Sequence, residues 1–221
     1  LSSSSAASDV YKRQGWDYAN SPLQTGSTFK IMALAAALQQ GISLDTNYSS
    51  APYQLPGSDV VTNVGGGCGV CNLREATKQS LNTSFLRLQE DLKNGTQDTA
   101  DMAHALGVAK SLPGIEKTLT EKGKQPFEGI VLGQYQSRPL DMATAMSTLA
   151  NQGVWHNPHF VQRVENAAGE VLYEHPEDEG ERRVSSNVAN NVIEAMEPVA
   201  AWSNGALAGG RVSASKTGTC L

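Results

Sequence analysis

Ser27 and Lys30 stand three residues apart in the stretch "QTGSTFKIMALAAALQQG", which runs from Gln24 to Gly41. On a helix, positions i and i+3 share a face. A serine hydroxyl is a poor nucleophile until a base removes its proton. A lysine set among apolar side chains is hard to charge, so its neutral amine is available as that base. The partial positive charge of a helix N-terminus favours an anion developing beside it, and Gly26 permits a sharp turn and a close approach of substrate. By itself the pair is a weak signal. Ser-x-x-Lys recurs by chance, and a lysine can lay its stem on apolar surface while its head stays in water.

Two further stretches bear on the same chemistry. "KQSLNTSF" places Ser80 and Asn82 on either side of Leu81, where one helical pattern gives way to another. If that junction is a turn, both polar side chains point into one cleft while Leu81 packs inward; the plainer reading is a cap and a turn. "SASKTGT" reads as a strand, on which alternation sends Lys216 and Gly218 to one face and Thr217 and Thr219 to the other. Gly218 lets a substrate chain lie close to it. The plainer reading here is an edge strand defended by a lysine.

The elements that must position these groups follow from periodicity. Thr28 to Gln40 predicts a helix apolar nearly all round, hence buried, that stops at Gly41. Residues 42–72, rich in Gly, Pro, Ser and Asn, predict a long surface excursion, unusual unless functional or carrying short strands of its own. Helices are predicted at Leu73 to Lys78, on the Leu81, Phe85, Leu88, Leu92 spacing, at Asp98 to Leu106, and from Pro139 to a stop at Gly153. Residues 159–175 alternate around Ala167 to Gly169 as a β-hairpin. Ser186 is the expected cap of a helix that aligns Val188, Val192 and Met196. "GGRVSASKTGT" is expected as a strand whose pairing partners lie outside this chain.

Composition narrows the classes. The 221 residues are 39% hydrophobic and 18% charged, which predicts a globular chain with ample core. A net charge of -5 gives no support to nucleic-acid binding. No apolar run has the length of a membrane span. The opening "LSSSSAASDVYKRQ" has no apolar period and resembles translated adapter sequence, so residues 1–14 and 220–221 are expected not to be native, and the chain is expected to be a fragment. With its terminal strand unpartnered, that fragment is expected to be poorly soluble or partly unfolded alone.

Taken in order, S-T-F-K, S-L-N and K-T-G-T match the Ser-x-x-Lys, Ser-x-Asn and Lys-Thr-Gly set of penicillin-binding proteins and β-lactamases. With "VLGQYQSRPLDMATAMSTLANQG" between the second and third motifs, nearly all of residues 15–219 resembles the transpeptidase domain of a penicillin-binding protein. The "SLNT" wording is most similar to bifunctional class A enzymes, the actinobacterial ones among them. Ser215, where the family often has Gly before the Lys, is a small departure.

The resemblance implies an α+β fold, here largely its helical subdomain, with most of a five-stranded antiparallel sheet missing. It implies Ser27 as the nucleophile on the penultimate D-Ala of a peptidoglycan stem peptide, and Lys30 as its base. Ser80 would relay a proton to the leaving amine, and Asn82 would bond the substrate amide and Lys30. Lys216 would keep the site electropositive. Thr217 and Thr219 would bind the substrate carboxylate, and Gly218 would give backbone access. The N–H groups of Ser27 and Thr219 would form the oxyanion hole. β-Lactams would acylate the same serine. No metal or other cofactor is implied. The parent protein is expected to be anchored at the extracytoplasmic face of a bacterial membrane, near other cell-wall synthesis proteins.

Two rivals share the fold. A β-lactamase needs a water-activating base, and Glu116, Glu121 and Glu128 lie in the right interval without forming a recognisable motif. A non-catalytic β-lactam sensor would be acylated and transfer nothing. Cys68 and Cys71 in "CGVC" are either a local disulfide pinning the excursion or two free thiols. His104, His156, His159 and His175 are scattered, and none is assigned to catalysis.

Overall fold

A computed structural model describes residues 17–219. The expected leader 1–14 and the pair 220–221 lie outside the described residues.

Six helices carry the core: α1 (Lys30–Gln39), α2 (Leu73–Lys78), α3 (Asn82–Glu90), α4 (Thr96–Leu106), α5 (Pro139–Ala150) and α6 (Ser186–Trp202). Helix α1 is the hub and packs against α3, α4 and α6. Its sequence explains why: every residue from Lys30 to Ala37 is buried, so it has no solvent face to spare. Phe29, Ile31, Met32 and Leu34 meet Leu73, Leu81, Phe85, Leu106, Ile130, Val192 and Met196 in one cluster. Each fully buried side chain of this kind contributes about 1.5–3 kcal/mol.

Local chemistry fixes the helix ends. Asn72 Oδ1 accepts from Glu75 N (3.0 Å) to start α2. Pro139 is the first residue of α5, and Asp141 accepts from Arg138 N (3.1 Å). The cap of α6 is Ser185, not the expected Ser186: its hydroxyl accepts from Val188 N (3.2 Å), and Ser186 is already helical. Helix α4 begins at Thr96, two residues before the expected Asp98, because Thr96 Oγ1 donates to Pro126 O (2.7 Å) and draws the start of the helix into the core.

The strands β1 (Leu23–Gln24), β2 (Asn47–Ser49), β3 (Tyr53–Gln54), β4 (Val60–Val61), β5 (Val70–Asn72), β6 (Gln136–Ser137), β7 (Val154–Trp155), β8 (Arg163–Glu165), β9 (Val171–Glu174) and β10 (Glu181–Arg182) are short. They pair antiparallel as β1–β6, β2–β5, β3–β4, β7–β10 and β8–β9, each a two-stranded ladder. The excursion 42–72 therefore does carry strands of its own. The hairpin β8–β9 forms as its alternation predicts, although its residues are exposed on both faces.

The expected terminal strand is the main correction. A strand needs a partner for its backbone bonds, and none of the described residues supplies one to 211–219. Ser215 N instead donates to Met196 O of α6 (3.3 Å), and the segment runs on past the start of α1. No helix among the described residues is long and apolar enough to cross a membrane.

Candidate active site

Ser27 lies in a 3₁₀ turn, Gly26–Phe29, that feeds directly into α1. The turn swings the Ser27 hydroxyl over the end of the Lys30 side chain, placing Oγ 2.8 Å from Nζ. Between α2 and α3 the chain reverses at Ser80, a non-glycine residue with φ +57°. Leu81 is buried there, so Ser80 and Asn82 flank it and both face Lys30, as the turn reading requires. Lys30 Nζ lies 3.2 Å from Ser80 Oγ and donates to Ser80 O (2.7 Å) and Asn82 Oδ1 (2.6 Å).

Lys216 arrives from the terminal segment. Its Nζ donates to Ser80 Oγ (2.7 Å), Thr217 O (3.1 Å) and Thr217 Oγ1 (3.2 Å). The segment reaches this position because two glycines remove side-chain bulk. A Cβ on Gly26, whose φ is +57°, would stand 2.1 Å from Thr219 O, and one on Gly218 would stand 2.3 Å from Thr28 Oγ1. Ser27, Lys30, Ser80, Asn82 and Lys216 thus form one hydrogen-bonded cluster. Thr217 joins it through Lys216, while Gly218 and Thr219 rest on the turn that presents Ser27.

The electrostatics favour a neutral base beside a charged neighbour. Lys30 is fully buried, and burial, with a further contribution from the Lys216 charge, brings its pKa down to about 6. Burial brings Lys216 down to about 8. Among the described residues, neither lysine has a carboxylate as a hydrogen-bond partner.

Proton counting then orients Lys30. A neutral amine has two N–H bonds and one lone pair. Ser80 O and the Asn82 amide oxygen can only accept, so they take the two protons. The lone pair is left for the Ser27 hydroxyl. The Asn82 amide cannot be turned over without cost, because its Nδ2 donates to Thr62 O (3.2 Å).

Thr62, and Asn63 beside it, were not legible as site residues; "VVTNVGGGC" reads only as part of the surface excursion. Cys68 and Cys71 are joined by a disulfide within the excursion. The histidines stand apart from the cluster: His104 Nδ1 lies 2.9 Å from Val108 O, His156 3.4 Å from Asp178, and His159 stacks on His175. The described residues contain no group of three or more His, Cys, Asp or Glu side chains placed to hold a metal.

The family described as the penicillin binding protein transpeptidase domain matches residues 2–220. Penicillin-binding protein 1A of Mycolicibacterium smegmatis is 54% identical over 209 residues, covering 93% of this chain and 27% of that protein. Peptidoglycan D,D-transpeptidase PbpA of the same organism is 34% identical over 212 residues, covering 88% of this chain and 42% of that protein. Among solved structures, PonA1 of Mycobacterium tuberculosis in complex with penicillin V superposes with a TM-score of 0.88 and 52% identity, covering 94% of this chain and 56% of that one. This chain thus spans well under half of the length of both curated relatives.

Proposed function

Because this chain belongs to the penicillin-binding protein transpeptidase domain family, we propose that its site is that of a serine D,D-transpeptidase, cross-linking peptidoglycan stem peptides and acylated by β-lactams. Ser27 Oγ attacks the carbonyl carbon of the penultimate D-Ala while its proton passes to Lys30 Nζ. The tetrahedral intermediate collapses, the C–N bond to the terminal D-Ala breaks, and the Ser80 hydroxyl hands a proton to the leaving amine. Lys30, now charged, returns a proton to Ser80. An amine from a neighbouring stem peptide then attacks the ester and regenerates Ser27. Lys216 and the Thr217 and Thr219 hydroxyls hold the substrate carboxylate. The N–H groups of Ser27 and Thr219 serve as the oxyanion hole, an arrangement supported by the seating of Thr219 against Gly26. A lost donor of this kind costs about 10²–10³-fold in rate.

The observation that carries this reading is the buried amine of Lys30, with both acceptors of its protons in place and Ser27 Oγ at 2.8 Å. Residues 15–219 on this reading are part of a transpeptidase domain, whose parent works at the extracytoplasmic face of a bacterial membrane. The Cys68–Cys71 disulfide accords with an oxidising exterior. Against a β-lactamase, none of Glu116, Glu121 and Glu128 hydrogen-bonds to Ser27 or Lys30.

Intact-mass spectrometry of the complete natural protein after incubation with a penicillin tests it. A lasting adduct mapped to Ser27, with acyl transfer from a thioester substrate to an added D-amino acid, is the expected result. Rapid clearance with hydrolysed drug would make the protein a β-lactamase, a lasting adduct without transfer would make it a sensor, and no adduct would end the serine reading.

A further inference from the structure

Lys30 can use its lone pair on Ser27 only while Asn82 presents its amide oxygen, because an inverted amide would set Nδ2 donors against the amine. The group that opposes inversion is Thr62 O, which lies on the exposed, glycine-rich part of the excursion. Val61, just before it, packs on the core and pairs with Tyr53, but Val64, two residues after it, is 94% exposed, so packing does not hold the far side of Thr62. Asn63 does. Its Oδ1 accepts from Thr83 N (3.1 Å), and its Nδ2 donates to Ser50 O and Thr83 Oγ1, both at 2.9 Å. Ser50 and Thr83 are buried, so both anchors are fixed.

The tie continues beyond Ser50. Its N and Oγ both donate to Gly69 O (2.8 and 3.1 Å), and Gly69 sits inside the ring closed by Cys68 and Cys71. Hydrogen bonds therefore run without a gap from the disulfide ring through Ser50 and Asn63 to Thr83, and Thr62, the neighbour of Asn63, completes the path to Asn82 and Lys30.

We propose that Asn63 is a positioning residue for acylation, holding Thr62 so that Asn82 keeps its oxygen on Lys30, with the Cys68–Cys71 ring as its far anchor. This rests on the transpeptidase reading. Alanine at position 63 removes the restraint and leaves Thr83 N without its acceptor. Small misplacements of a catalytic group cost up to about 10²-fold in rate.

The test is the second-order rate of penicillin acylation of the intact protein, followed by mass spectrometry across pH, for the parent, Asn63→Ala and Asn63→Ser. Asn63→Ala should acylate about ten- to a hundredfold more slowly at neutral pH. Its acid limb should move upward, because loosening the loop admits water to an amine held down mainly by burial. Lys216 is the charged group facing Lys30 and keeps its proton up to about pH 8, while Ser80, Asn82 and Phe85 face it uncharged, so the acid limb is read below that pH. Asn63→Ser, which retains an oxygen for Thr83 N, should fall between, and it decides alone if the alanine variant does not fold. Reducing the disulfide should shift the parent the same way by less.

Parent-like rate and limb in both variants would overturn the proposal, as would a slower rate with an unmoved limb and a lowered melting temperature. A parent that takes no penicillin at all instead removes the transpeptidase reading beneath it.

Discussion

The wall carrying Ser27, Lys30, Ser80 and Asn82 is built on buried helices, whereas the wall carrying Lys216 to Thr219 is a segment without strand bonds among the described residues. On the first wall, Lys30 is fully buried between Phe29 and Ile31 in the chain, its amine faces the Phe85 ring, and it touches four polar atoms. On the second, Val212 is 78% exposed, and the chain is located by Ser215 N on Met196 O, by Lys216 on Ser80, and by two glycines that let it lie close. The proposed nucleophile and base are thus preorganised by the core, as a reaction needing sub-ångström alignment demands. The groups that would greet a substrate carboxylate are placed by contacts that cost little to break, as expected of ligand-binding segments.

The sharpest break in that comparison is Lys30→Met. Losing a general base costs on the order of 10²–10⁴-fold, so acylation by penicillin should all but vanish. Stability should move the other way. The folded value near 6 lies below the ordinary 10.5, so the unfolded chain binds the extra proton and folding stability rises with pH between those values. At pH 7 the buried lysine is therefore a net burden. Thermal unfolding should show Lys30→Met melting higher than the parent and losing that pH slope; a lower melting temperature would mean that the amine's hydrogen bonds outweigh its burial.

A smaller effect should come from Gly218→Ala. The new methyl meets Thr28 Oγ1 and Thr25 O and pushes the segment off the turn. Acylation should fall about tenfold, with a melting temperature near the parent's because no helix is touched. Equal losses in rate and stability would show the two walls to be one cooperative unit.

The mildest test separates the two lysines by pH. Acylation should rise as Lys30 loses its proton near 6 and decline as Lys216 loses its proton near 8, a bell whose apparent values belong to the coupled pair. Lys216→Ala should erase the alkaline limb and leave an acid one, moved upward because the Lys216 charge no longer depresses Lys30. Survival of both limbs would assign the second ionisation elsewhere.

The same division marks what could be read from the sequence. Lys30 was legible because an apolar helix has no ordinary use for a cation, and Ser27 because it stands one turn away. Leu81 between Ser80 and Asn82 was legible because a buried leucine forces its neighbours outward. These are local facts. The terminal strand did not form because a strand needs a second segment to pair with, and alternation in one segment cannot supply it. Ser186 failed against Ser185 because adjacent serines cap equally well until φ and ψ are fixed. Asn63 gave no signal at all: its partners Ser50 and Thr83 lie 13 and 20 residues away, and only the folded excursion brings them to it.

The backbone at Ser80 narrows what mutation can leave there. A left-handed φ of +57° costs most non-glycine residues about 1–2 kcal/mol. Glycine would relieve that cost but would carry no hydroxyl for Lys216 or Lys30. Asparagine would tolerate the backbone but would set a bulkier planar group between two amines. Threonine would keep the hydroxyl but would add β-branching where left-handed geometry tolerates it least. Few single replacements meet both demands at once, so the position tolerates little besides serine.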